Sequence, residues 1–166
     1  MGNLIGATLR QARLKGEVNM LIGRHDSKID EKGRISFPKK FRKELGNNLI
    51  ITQGFEGSLI VIASGEWKVL TEGTEGSPIT DKEARETETF LLGSAEEVSL
   101  DTKGRFVIPK HLIRFAGLSD EVSCLGLLRY VRIWDREKWE KQSKNLVNKI
   151  EEVAEKLSDK SSGRGK

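Results

Sequence analysis

One cysteine, two histidines, one tyrosine and three prolines in 166 residues leave little material for several kinds of chemistry. Cys124 has no second cysteine with which to close a disulfide within the chain. With only His25 and His111 beside it, a Cys/His zinc centre lacks ligands. No segment approaches the run of about 20 apolar residues that a membrane-spanning helix needs. A phosphate-binding glycine loop, a nucleophile elbow, a zinc-ligand pair and a dinucleotide fingerprint are all missing. An enzyme is therefore not expected, and no catalytic residue, metal, cofactor or small-molecule substrate is assigned. The remaining composition, 36% hydrophobic and 33% charged, is that of a globular protein expected in the cytoplasm. A net charge of +4 and a pI near 9.2 lean towards a polyanionic partner.

What is present is a stretch written twice. Asp30-Glu-Lys-Gly-Arg-Ile-Ser-Phe-Pro-Lys-Lys-Phe41 lies in register with Asp101-Thr-Lys-Gly-Arg-Phe-Val-Ile-Pro-Lys-His-Leu112 at a constant offset of 71. Asp30, Lys32, Gly33, Arg34, Pro38 and Lys39 fall on Asp101, Lys103, Gly104, Arg105, Pro109 and Lys110, and Gly46 and Gly117 close both copies. So many special residues in register mark an internal duplication.

Each copy has a physical reading. Lys-Gly after an aspartate is a tight-turn signal, because Gly33 and Gly104 reach positive φ without a Cβ clash. Strand, reversal and second strand are expected, with Ile35-Ser36-Phe37 alternating as a half-buried strand does. Proline ends the strand, and its fixed φ suits the start of a helix. A short helix follows, Phe41 and Leu45 facing inward in the first copy, Leu112 and Ala116 in the second. A single copy exposes an apolar face; two together bury both.

The outer side is basic. Eight Lys or Arg stand against four acids between Arg24 and Gly46, and four against one between Asp101 and Gly117. Asp30 and Asp101 sit among these cations as turn-formers that accept backbone or arginine hydrogen bonds.

The pattern Asp-x-Lys-Gly-Arg, apolar-x-apolar, Pro, basic, short helix, present twice between about Met20 and Gln142, resembles the MraZ family of bacterial transcriptional regulators. Their repeats are related to the swapped-hairpin domains of AbrB, SpoVT and MazE type. The resemblance implies an α+β fold in which two SpoVT/AbrB-type repeats pack as an intrachain pseudo-dimer, a small double-psi-like β barrel with connecting and C-terminal helices. It also implies binding of duplex DNA at short, G-rich direct repeats upstream of a cell-division and cell-wall operon that includes its own gene, by a homo-oligomeric, octamer-like ring on the nucleoid. Carried over residue by residue, Arg34 and Arg105 are the implied base-reading arginines. Lys32, Lys39, Lys103 and Lys110 are implied phosphate contacts. At the helical basic pair this chain has Arg42 and Lys43 in the first copy but Ile113 and Arg114 in the second, so the repeats are not expected to contribute equally.

Along the chain, residues 1–19 read either as an upstream-start artefact or as a dispensable basic arm, poorly ordered and not a convincing signal peptide. Repeat 1 spans 20–70, with a hairpin of Leu49–Thr52 and Leu59–Ala63 and a helix capped by Ser64. Residues 71–96 form an acidic linker whose Thr80-Asp-Lys-Glu83 has capping-box spacing for a helix to Leu92. Repeat 2 spans 97–140, and Asp135 is expected to cap the helix that follows it. Trp67 and Trp139 read as packing anchors. Within 141–166, Leu146, Ile150, Val153 and Leu157 continue from Trp139 as an apolar seam that lies either on its own chain or on a neighbour. Ser161 onwards reads as a flexible tail. The rival reading is a MazE-like antitoxin or another protein-binding or structural oligomer; such antitoxins usually carry one motif copy and a long disordered arm.

Overall fold

Proline and glycine at fixed places cut each copy into short pieces, and the computed structural model, which describes residues 20–163, follows those cuts. The expectations for residues 1–19 and for the last three residues lie outside the described residues. Strand β1 (Ile22–Lys28) leads through the first turn into β2 (Arg34–Ser36), helix α1 (Lys39–Leu45) and the hairpin β3 (Asn48–Gln53) and β4 (Leu59–Ala63). A 3-10 segment (Ser64–Thr71) and helix α2 (Lys82–Gly93) lead to the second copy. That copy comprises β5 (Glu96–Ser99), β6 (Arg105–Val107), α3 (Lys110–Ala116), β7 (Glu121–Leu127) and β8 (Val131–Asp135). The chain divides after Asp135, and its second unit is helix α4 (Arg136–Ser162).

The pairing is exchanged between copies. β1 lies antiparallel to β7, β5 to β3, β4 to β8 and β2 to β6. The six-stranded sheet therefore has the order β1-β7-β8-β4-β3-β5, which reads the same backwards when the two copies are swapped. This is the pseudo-dimer of two swapped repeats. β2 and β6 form a separate two-stranded ribbon, and an isolated bridge pairs Ile35 of β2 with Ile29, the residue that follows β1. Each turn glycine receives the other copy's strand: Phe37 N–H donates to Gly104 O at 3.1 Å and Ile108 N–H to Gly33 O at 2.9 Å.

The core explains the exchange. Ile35, Phe37, Phe41, Phe106, Ile108 and Leu112 are all buried in one cluster drawn from both copies. Phe37 meets Phe106 edge-on, with ring centroids 5.4 Å apart. β4 is buried on both faces: Leu59 and Val61 join this core, while Ile60 and Ile62 form a second cluster with Leu70 and Leu91. That two-sided burial is why Leu59–Ile62 is a continuous apolar run and not an alternating one.

Several local expectations are corrected. The segment after β4 is a 3-10 helix with Ala63 in the capping position and no side-chain cap, so Ser64 opens it instead of capping it. At α2 the cap is Asp81, whose Oδ1 accepts from Ala84 N–H at 3.2 Å, and not Thr80. Trp67 is 48% exposed and anchors no core. Outside these corrections, Asp135 Oδ1 accepts from both the N–H and the Oγ of Ser119, tying the end of β8 to the loop before β7. Ser161 and Ser162, expected in a flexible tail, are helical, and each Oγ donates to the carbonyl four residues back.

Candidate nucleic-acid interface

The two copied turns are built alike. Asp30 Oδ1 accepts the N–H groups of Lys32 and Arg34, each at 2.9 Å, while Oδ2 takes Arg34 Nε at 2.6 Å. Asp101 repeats this on Lys103, Arg105 and Arg105 Nε, all at 2.9 Å. Gly33 and Gly104 take φ of +77° and +73°, as a three-residue reversal closed on an aspartate requires. These donors stabilise the ionised carboxylates, the backbone N–H groups of Arg34 and Arg105 most of all, and hold both below the ordinary aspartate value.

The consequence falls on the arginines. With Nε fixed by aspartate, each guanidinium keeps two terminal nitrogens that have no protein partner among the described residues. Ribbon register sets where they stand: Arg34 lies opposite Val107, Ile35 opposite Phe106 and Ser36 opposite Arg105. Ile35 and Phe106 point into the core, so Arg34, Ser36, Arg105 and Val107 share the outer face. Sheet geometry spaces the Cα atoms of such diagonal partners roughly 7–8 Å apart.

The other basic residues divide by environment. Lys32, Lys39, Lys43, Lys103, Lys110 and Arg114 are exposed around the ribbon's ends and on the two short helices. Arg42 is different. Its guanidinium lies over the second turn, so close that a Cβ on Gly104 would overlap it, and its Nε is buried without a hydrogen-bond partner among the described residues. Its counterpart Ile113 lies over the first turn, with Cδ1 3.5 Å from where a Cβ on Gly33 would stand. Lys43 and Arg114, one position on, remain in solvent. Sequence reasoning had no signal for this placement, since it depends on an approach between residues more than sixty positions apart. It also did not single out Ser36 and Val107 on the outer face, although strand alternation from the buried Ile35 and Phe106 would have found them.

Not every cation is available. Arg132 stacks 4.7 Å over the Trp134 ring while its Nη2 donates to Phe55 O and Glu56 Oε2, and Arg129 is tied to Glu72. Among the described residues no group of His, Cys, Asp or Glu is arranged to hold a metal ion. Among the described residues no helix is long and apolar enough to cross a membrane.

Comparison with known proteins decides the family. The family model described as MraZ protein, antitoxin-like, matches this chain twice, over residues 20–90 and 91–160. The chain belongs to the MraZ family. The transcriptional regulator MraZ of Clostridium acetobutylicum is 41% identical over 140 residues, covering 84% of this chain and 98% of that protein. Those of Caldanaerobacter subterraneus subsp. tengcongensis and Clostridium tetani are 39% and 36% identical with the same coverage. Membership carries a coarse function: a regulator of transcription, not an enzyme. The doubled family match also agrees with the duplicated turns and the palindromic sheet.

Proposed function

We propose that this protein is a sequence-specific, DNA-binding regulator that lays the outer face of the β2–β6 ribbon against duplex DNA. The observation that carries the reading is the pair of aspartate-held arginines, each offering two terminal N–H groups from a rigid ribbon. A two-stranded ribbon fits the major groove, and paired arginine donors match the O6 and N7 acceptors of guanine. In this reading Arg34 and Arg105 read bases, while Lys32, Lys39, Lys43, Lys103, Lys110 and Arg114 contact phosphates and release counterions. Arg42 adds its charge from over the second turn. The ribbon comes from repeats 20–70 and 97–140, joined by the linker 71–96.

One ribbon offers few base contacts, so affinity must come from several modules acting together. Short direct repeats upstream of the protein's own cell-division and cell-wall operon, bound by a ring of about eight copies on the nucleoid, would supply that. Val147, Ile150, Val153 and Leu157 on α4 are all exposed, which supports a contact with a neighbouring copy. The test is binding of the purified full chain to the DNA upstream of its own gene, against scrambled DNA, at low and moderate salt. Selective binding that needs more than one site copy is expected. Equal binding to both DNAs, lost together with salt, would leave generic basic turns and favour an antitoxin-like protein partner, the reading that the family description also carries.

A further inference from the structure

The two ends of the ribbon are not chemically equal, although the backbone makes them nearly so. At the first turn Arg34 stands opposite Val107, which is 53% exposed, and Gly33 is backed by the side chains of Val107 and Ile113. At the second turn Arg105 stands opposite Ser36, and Gly104 is covered by the Arg42 guanidinium. Two independent pairs of positions, 36 with 107 and 42 with 113, thus break the twofold in the same sense. One end is an arginine in apolar surroundings; the other is an arginine with a hydroxyl and a second guanidinium.

Packing alone does not require this. Ile113 covers Gly33 with a plain hydrocarbon, so an isoleucine at 42 could cover Gly104 equally well. The chain instead keeps an arginine there with a buried, unpartnered Nε. An uncompensated buried donor is a cost that a purely structural role would shed, which points to the charge itself as the useful part.

We propose that the Arg42/Ile113 and Ser36/Val107 pairs fix the direction in which the module lies on DNA. Without them, a pseudo-twofold ribbon would sit on a site in two orientations of nearly equal free energy. With them, the end that contains Arg105, Arg42 and Ser36 takes the part of the site with the closer phosphate or guanine acceptors. The Arg34 end takes the other. Each copy of a direct repeat then receives its module the same way round. This inference rests on the ribbon being the DNA-binding face.

The test is affinity cleavage by the full chain. An iron–EDTA reagent is attached through Glu31→Cys in the first turn or Thr102→Cys in the second, both exposed positions outside the assigned contacts. The native Cys124 is fully buried and does not compete. On one site footprinted within the DNA upstream of the gene, the first conjugate should cleave one flank and the second the opposite flank. The expected preference is about tenfold or more, the worth of one charge-assisted hydrogen bond. The fourfold exchange Ser36→Val, Arg42→Ile, Val107→Ser and Ile113→Arg should reverse the flanks. Ile113→Arg alone, which changes one partly buried residue and is checked by thermal melting, should bring cleavage of the two flanks towards equality. Protection with equal cleavage of both flanks by the unexchanged protein would overturn the orientation proposal alone. So would one-sided cleavage that neither the exchange nor Ile113→Arg alters. Failure to protect any promoter site would overturn the DNA-binding reading, and this one with it.

Discussion

The sharpest perturbation is removal of one guanidinium from the outer face. Arg34 and Arg105 have side chains 32% and 26% exposed, Nε spent on aspartate and two terminal nitrogens left for a ligand. A paired contact of that kind to guanine discriminates by about 1–3 kcal/mol, so Arg34→Ala or Arg105→Ala should each weaken promoter binding roughly 5- to 150-fold. Scrambled DNA should lose far less, because there each arginine counts only as a charge. Fluorescence anisotropy on both duplexes over a series of salt concentrations measures this, with light scattering to verify that assembly is unchanged. Arg34→Lys is the informative control: it keeps the charge but cannot present two parallel donors, and should lose discrimination nearly as alanine does. Lys32→Ala should instead weaken both DNAs alike and reduce the salt slope by about 0.9. An arginine variant that weakens both DNAs equally, or neither, would refute base reading by these side chains.

Three other outcomes follow from the same geometry. Gly33→Ala must hold a side chain at positive φ, a strain of about 1–2 kcal/mol in denaturant melts, and Gly104→Ala should cost more, because its methyl group also displaces Arg42. Asp30 and Asp101 are more acidic in the folded chain than their ordinary 3.8, so their contribution to stability is complete above that value and fades as pH falls below it; urea midpoints of Asp30→Asn and Asp101→Asn should therefore fall less than the parent's over that acid range. Burial and the Asp26 carboxylate push the Cys124 thiol up to about 12, so iodoacetamide at neutral pH should label it only after unfolding.

Legibility in the sequence followed the range of the interactions. The turns, the prolines before α1 and α3, and the inward pairs Phe41 with Leu45 and Leu112 with Ala116 depend on neighbours within a few residues, and all were readable. Caps were readable only to within a residue. Thr80 and Asp81 are both cap formers, and which one closes on the helix depends on where the preceding turn releases the chain. Strand partners were not readable from either copy alone. His25 faces Cys124 across β1 and β7, and nothing local to either strand specifies that register; the exchange entered through the family resemblance. Arg42 shows the limit most clearly. A basic residue on a short helix beside Lys43 and two positions after Lys40 reads as solvated, and only the approach of the second turn takes its Nε out of water.

That limit bears on why the two copies share one chain. In a dimer of identical chains, whatever residue stands at position 42 must stand at both ends of the ribbon, and the contact surface must be symmetric. Joining the copies removes that constraint while the backbone keeps the exchanged pairing, since β1–β7 and β3–β5 each need one strand from either repeat. The core has stayed nearly symmetric, with Ile35 and Phe106, Phe37 and Ile108, Phe41 and Leu112 filling matching places. The positions around the turns differ instead: Ser36 against Val107 on the outer side of the ribbon, and Arg42 against Ile113 over the turn glycines. Burial holds the first set in register, because a change there costs both repeats at once. The second set is free to differ, and under the proposed DNA-binding reading a difference there alters what the ribbon offers to DNA while the exchanged pairing is kept.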